Sequence, residues 1–201
     1  MIKVLVAEDM RLLRDTLIAT LTLEDDIDVV AAVDRGDAVL TTAITTQPDL
    51  ALLDIDLPGK DGLAAAVELR EQVPTCRILI LTALSSPGHV KRATAIGVGG
   101  FVLKDCARPE LMHAVRTVAA GGTVLDPNLA FTTLRAPDNP LTDRETEVLR
   151  GYAAGADAKE IAARLHLSYG TVRNYLASSV SKLQARNRID AVRVATESGW
   201  L

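Results

Sequence analysis

The sequence predicts an α/β protein with a small all-α unit appended, and three observations carry that expectation. Between residues 2 and 120 a short apolar run is followed five times by a stretch whose apolar residues recur at helical spacing. Those runs are continuous rather than alternating, as strands of a parallel sheet covered on both faces must be. From Leu141 onward the strand-like runs stop and only helical periods remain.

The first strand is IKVLVA, ended by Glu8-Asp9, and RLLRDTLIATLTL then places Leu12, Leu13, Leu17 and Leu21 near helical spacing. Asp28 to Val33 reads as a second strand, and Gly36 to Thr46 as a helix stopped before Pro48. The third strand is the stretch around which the chain is organised. Its run Leu50-Ala51-Leu52-Leu53 ends abruptly at Asp54, with Asp56 two residues on and Pro58-Gly59 forcing a turn. Leu63 to Gln72 is rich in good helix formers. RILILTA, the most apolar strand, stops at Thr82. Pro87 to Ile96 is a short helix, with Ser85 or Ser86 as its expected cap and Gly97 as its end. Gly100 to Leu103 is the fifth strand, stopping at Lys104, and Pro109 to Ala120 the fifth helix. Right-handed crossovers then leave doubly wound topologies, of which a flavodoxin-like (βα)5 sheet is the expected one.

In such a sheet all strands end on one edge, where ligands bind. Glu8, Asp9, Asp54, Thr82 and Lys104 therefore converge: three carboxylates, a hydroxyl and an ammonium. Clustered carboxylates need a cation, and an all-oxygen set suits Mg²⁺. A carboxylate beside Mg²⁺ can attack a phosphoryl group to give an aspartyl phosphate, with Lys104 neutralising the transferring oxygens and Thr82 donating a hydrogen bond. Asp56 is expected to offer its backbone carbonyl to the metal.

At these residues the first 120 positions resemble the receiver domain of two-component response regulators. Glu8-Asp9, Asp54 with Pro58-Gly59 and Gly62, Thr82-Ala83, Phe101 and Lys104 carry the likeness. The resemblance implies phosphoryl transfer from a histidine kinase to Asp54. It also implies Mg²⁺ on Asp9, Asp54 and the Asp56 carbonyl, with Glu8 through water, and a switch pair of Thr82 and Phe101. Leu84 is apolar and cannot orient a hydrolytic water, so phosphorylated Asp54 is expected to persist for minutes or longer.

Gly121 to Pro140 mixes Pro, Gly, Asn and Thr, and 121–139 reads as a linker with one short helical turn. Then Thr142 to Glu145 forms a capping box before TEVLRGYAAG, Asp157 to Glu160 a second one before KEIAARLHL, and Ser168 can cap GTVRNYLASSVSKL. A fourth helix follows Arg188, and the tight LHLSYG turn makes the middle pair a helix-turn-helix. Leu141-Thr142, Arg144-Glu145, Val148-Leu149, Lys159 to Ala162, Gly170 to Val172 and Lys182-Leu183 resemble the LuxR-type helix-turn-helix of the NarL/FixJ class of regulators. Residues 140–201 are thereby expected to bind double-stranded DNA. The resemblance makes Gly170 to Leu183 the recognition helix. It turns Arg173, Asn174 and Ala177 toward the major groove and sets Tyr169, Thr171 and Lys182 near phosphates. PGKDGLAAAVEL, RATAIGVGGFVLKD and the terminal ESGW are similar to the subgroup that regulates membrane-lipid desaturation, which makes membrane-lipid genes candidate targets. The target does not follow from the likeness, because the helix surface can change while the scaffold stays.

By the same resemblance phosphorylation re-packs the far face of the sheet and the protein dimerises, through either the fourth helix, fifth strand and fifth helix or the first and fifth helices; Leu13, Leu17, Leu111 and Val115 favour the second face. Two other readings stand beside this one. Asp54-Ile55-Asp56 also resembles the DxD nucleophile motif of haloacid-dehalogenase-type phosphatases, and the chain could bind DNA independently of phosphorylation.

Composition agrees with a soluble regulator. The chain of 201 residues has 48% hydrophobic and 24% charged residues, and no apolar run approaches the ~18 that a membrane helix needs. MIKVLVAEDM turns acidic too early for a secretory signal, so a cytoplasmic protein without direct membrane contact is expected. Cys76 and Cys106 cannot build a disulfide framework or a metal cluster, and read as free thiols. Residues 1–120 carry 12 Lys and Arg against 17 Asp and Glu, whereas 121–201 carry 10 against 9. A less acidic C-terminal part favours a nucleic-acid partner there. His89, His113 and His166 are scattered, and Trp200 is expected to pack the last helix.

Overall fold

In the computed structural model, which describes residues 1–83, 87–125, 130 and 139–201, each of the five apolar runs is a strand. These are β1 (Ile2–Ala7), β2 (Ile27–Val33), β3 (Leu50–Asp54), β4 (Arg77–Thr82) and β5 (Gly100–Leu103). Helices α1 (Arg11–Thr22), α2 (Val39–Thr46), α3 (Gly62–Gln72), α4 (Pro87–Ile96) and α5 (Arg108–Ala119) follow them in turn. The second helix begins as a 3₁₀ turn at Gly36–Ala38 and ends where Gln47 takes a left-handed φ of 46°. Ser85 and Ser86, the expected caps of α4, lie outside the described residues.

The sheet is parallel throughout, in the order β2-β1-β3-β4-β5-β6. Its sixth strand, β6 (Val124–Leu125), falls at the start of the stretch 121–139 expected as linker. Val124 pairs with Gly100 and its N–H donates to the Gly99 carbonyl at 3.0 Å, so the chain leaving α5 is stitched to the sheet edge. A two-residue strand is too short for any periodicity to mark it.

Period-two alternation sends successive strand residues to opposite faces. Val4, Val6, Leu50, Leu52, Leu79, Leu81 and Val102 meet Leu17 and Leu21 of α1 and Leu111, Met112, Ala114, Val115 and Val118 of α5 in one core. Leu5, Leu53 and Ile80, one position out of phase, are equally sealed on the other face. Each such side chain contributes roughly 1.5–3 kcal/mol by leaving water. Register then aligns the carboxyl ends: Ala7 lies beside Leu53, Asp54 beside Leu81, and Thr82 beside Leu103.

Four helices make a second compact unit: α6 (Asp143–Ala153), α7 (Ala158–Leu165), α8 (Tyr169–Lys182) and α9 (Arg188–Glu197). Both expected capping boxes are formed. Glu145 N–H donates to Thr142 Oγ1 at 3.3 Å while Thr142 N–H donates to Glu145 Oε2 at 2.7 Å. Asp157 and Glu160 exchange the same pair of bonds at 2.7 and 2.9 Å. Ser168 caps α8 and Asn187 caps α9, each cap contributing about 1 kcal/mol. Val148, Leu149, Ile161, Val172, Leu176, Ala191 and Ala195 form the core, and Trp200 packs against it as expected. No described helix is long and apolar enough to cross a membrane.

Candidate functional site

The sheet brings Glu8, Asp9 and Asp54 together, with one carboxylate oxygen of each within 4.8 Å of the others. Glu8 and Asp54 are buried, and Asp9 is exposed. Lys104, from the end of β5, reaches back between them: its Nζ is 2.9 Å from Asp54 Oδ2, 2.8 Å from Glu8 Oε2 and 3.0 Å from Glu8 Oε1. Its own N–H donates to the Thr82 carbonyl at 2.8 Å, tying the tips of β4 and β5. Thr82 and Phe101 are both buried, and Asp56 is exposed in the loop after β3.

That loop is forced into place by contact rather than by flexibility. Gly62 N–H donates to the Ile55 carbonyl at 2.8 Å, and a Cβ on Gly62 would fall 1.8 Å from the Asp54 carbonyl oxygen. Only glycine allows α3 to start so close beneath the acidic tip. The other wall, Glu8-Asp9, is held by Arg14 of α1, whose guanidinium donates to the Glu8 carbonyl at 2.7 Å. Sequence reasoning missed Arg14, because a side chain that caps its own preceding loop leaves no periodic mark.

Burial pushes the Glu8 carboxyl above its ordinary range, opposed by the hydrogen bond from Lys104 and reinforced by the charge of Asp54. Burial presses the Lys104 ammonium down, but its bonds to Glu8 and Asp54 outweigh that and hold it above its usual value. One cation against three carboxylates leaves the cluster short of positive charge. Asp54 Oδ1 is buried with no hydrogen-bond partner among the described residues, and Glu8 Oε2 has no aligned donor although Lys104 is near. A buried carboxylate oxygen without a donor is costly, and a divalent cation satisfies it. The residues present therefore fit Mg²⁺ by charge, by oxygen chemistry and by unsatisfied valence.

In the helical unit α8 buries Val172, Leu176 and Ser179 and leaves Tyr169, Arg173, Asn174 and Ala177 exposed on the opposite side. Two of the residues expected near phosphates have partners inside the protein. The Thr171 hydroxyl lies 2.8 Å from Ser168 Oγ within the helix cap. Lys182 Nζ donates to Glu145 Oε2 at 2.7 Å, and Ser178 Oγ donates to Glu145 Oε1 at 2.6 Å. Burial raises the Glu145 carboxyl, but the bonds from Lys182, Ser178 and Thr142 overcome it and bring it down to about 2. Glu145 thus joins the start of α6 to α8 across 37 residues, a link with no local signal in the sequence.

The residues expected at the dimer face lie on the inner sides of α1 and α5. Leu17, Leu111 and Val115 are buried in the core beneath α1 and α5, and Leu13 packs partly buried against it. Their helical spacing forms an apolar stripe that faces the sheet of its own chain. Leu84 lies outside the described residues, as do 126–129 and 131–138, where the linker's helical turn was expected.

An α/β sheet with an acidic, lysine-bridged pocket at its carboxyl edge, followed by a capped helix-turn-helix unit, defines a receiver coupled to a DNA reader. The comparisons agree: residues 4–116 match the response regulator receiver domain, and residues 139–195 match the LuxR family of bacterial regulatory proteins. The chain belongs to the response regulators that carry a LuxR-type DNA-binding domain and regulate transcription. It is 42% identical to the transcriptional regulatory protein DesR of Bacillus subtilis (strain 168), over 100% of this chain and 99% of that one. Among solved structures it is similar to the response regulator ChrA of a heme-sensing two-component system, at 30% identity and TM-score 0.59 over 100% of this chain and 98% of that one. The fold also matches a structure of two RcsB dimers bound to two parallel DNAs, at 22% identity and TM-score 0.69 over 98% of both chains. This membership sets aside the reading as a haloacid-dehalogenase-type phosphatase.

Proposed function

We propose that Asp54 is the phosphoacceptor of a sensor histidine kinase and that its phosphorylation drives dimerisation and promoter binding in the cytoplasm. The observation that carries this is the buried Asp54 Oδ1, unpartnered among the described residues and set beside Lys104. A carboxylate oxygen so placed is a nucleophile whose lone pairs no protein donor occupies. Asp9, Asp54 and the Asp56 carbonyl would hold Mg²⁺, with Glu8 acting through water. Bound there, the ion supplies charge neutralisation for the phosphoryl oxygens. Lys104 follows the transferred group by exchanging one carboxylate oxygen for a phosphoryl oxygen. Thr82 donates to a second oxygen, and Phe101 takes the space that Thr82 leaves. The protein thus takes part in its own phosphorylation and dephosphorylation without turning over a substrate.

The reading continues into the second unit, where Arg173, Asn174 and Ala177 face the major groove. Residues 1–120 act as receiver, 121–139 as linker and 140–201 as DNA reader. The resemblance of the sequence to regulators of membrane-lipid desaturation makes membrane-lipid genes the candidate targets.

Incubation with acetyl phosphate and Mg²⁺, followed by intact-mass and peptide mass spectrometry, tests the first step. One phosphoryl group is expected, on the peptide containing the tip of β3, and none on Asp54→Asn. An unaltered mass, or label elsewhere, overturns the assignment. The phosphorylation-independent alternative requires that Asp54→Asn bind promoter DNA as tightly as the phosphorylated protein does.

A further inference from the structure

We propose that Tyr169 is a positioning residue for Arg173, holding its guanidinium in the orientation that reads a base, rather than a phosphate contact in its own right. The proposal rests on the DNA-reading assignment above and gives Tyr169 a different role within it. The two residues are four apart on α8 and so lie on one face. Arg173 Cζ sits 5.8 Å from the centroid of the Tyr169 ring, within the ~6 Å reach of a cation–π contact. Both side chains are exposed, Tyr169 at 48%, so the contact is not a by-product of burial.

Four basic residues of this unit are tied up by carboxylates, while Arg150, Lys159, Arg164 and Arg188, like Arg173, have no carboxylate partner among the described residues. Arg144 pairs with Glu147, Lys182 with Glu145, Arg186 with Asp190, and Arg193 with Asp190 and Glu197. What sets Arg173 apart is that its guanidinium lies over the ring of Tyr169. A long side chain that must fork onto a base edge loses much rotamer freedom on binding, unless something already restricts it. The ring does so without competing for the N–H donors that a base edge requires. Its own root is fixed, because Tyr169 is the first residue of α8, directly after the Ser168 cap that takes the Thr171 N–H at 3.0 Å.

Tyr169→Phe and Tyr169→Ala separate the two roles, since Phe keeps the ring and loses only the hydroxyl that a phosphate would accept from. Full-length protein treated with acetyl phosphate and Mg²⁺ is used to select from a random double-stranded DNA pool. Binding of the selected sequence and its single-base variants is then compared across both variants, Arg173→Ala and the double variant Tyr169→Ala/Arg173→Ala. Phe should keep the base preference at the position that Arg173→Ala relaxes. Ala should weaken discrimination there about two- to fivefold and add nothing in the Arg173→Ala background. Equal losses for Phe and Ala, or an undiminished loss in the double variant, overturn the proposal and make Tyr169 a phosphate contact. A pool from which the untouched protein selects nothing overturns the DNA-reading assignment itself, a failure distinct from either.

Discussion

Lys104 stands where a cation must also come. Its ammonium, 2.9 Å from Asp54 and 2.8 Å from Glu8, repels a dication drawn to the same oxygens. Lys104→Gln should therefore bind Mg²⁺ several-fold more tightly by titration calorimetry, yet accept phosphate from acetyl phosphate at least about tenfold more slowly, for want of a charge on the transferring group. Weaker Mg²⁺ binding in the variant would show that Lys104 helps to assemble the metal site rather than competing with it. Glu145 offers a pH test on the helical unit. Its carboxyl is held at about 2, below its ordinary 4.5, so the folded state favours the ionised form. That stability is fully present above the unfolded value and is lost as pH falls from about 4.5 toward 2. Melting followed by circular dichroism should show the second unit weakening across that window. Glu145→Gln should cost about 1–3 kcal/mol at neutral pH and flatten the acid dependence, because the Thr142 N–H and the Ser178 hydroxyl lose a charged acceptor.

At the scale of elements, the approach of α3 to the tip of β3 makes Gly62 the position where fold and site meet. Gly62→Ala puts a methyl against the Asp54 carbonyl, and the strand tip or the helix start must move. A loss of about 1–3 kcal/mol in denaturant unfolding is expected, together with slower phosphorylation; unchanged phosphorylation would mean that Asp54 is positioned by the sheet alone. The site's membership was legible in the sequence, because strand ends of a parallel sheet must share an edge and four of the five apolar runs stop at polar residues there. Three things were not. The apolar stripes of α1 and α5 have the spacing of any buried helix face, and spacing cannot say whether the cover is the chain's own sheet or a partner. β6 pairs by two residues, too few to differ from a loop. The Glu145–Lys182 bond spans separate helices, and only their packing brings it about. The Tyr169–Arg173 pair, by contrast, sits at i and i+4 and could have been read from spacing alone.

For the whole molecule the question is how one phosphoryl group on the first unit alters what the second unit holds. By the proposed reading a monomer offers DNA one copy of α8, and of the residues expected near phosphates Thr171 and Lys182 already have partners within the unit. Its affinity should be low and its salt dependence shallow, each phosphate contact adding about 0.9 to the slope of log K against log salt. Joining two such units converts the second contact into an intramolecular one, which strengthens binding by about 10²-fold or more without a new interaction. Light scattering with acetyl phosphate and Mg²⁺ should accordingly show a monomer becoming a dimer. On a two-half-site probe the same treatment should raise affinity by that factor and roughly double the salt slope, while a single half-site gains little. Asp54→Asn should do neither. A protein that stays monomeric yet gains affinity equally on both probes would place the effect of phosphorylation within one chain, and the dimer would have no part in it.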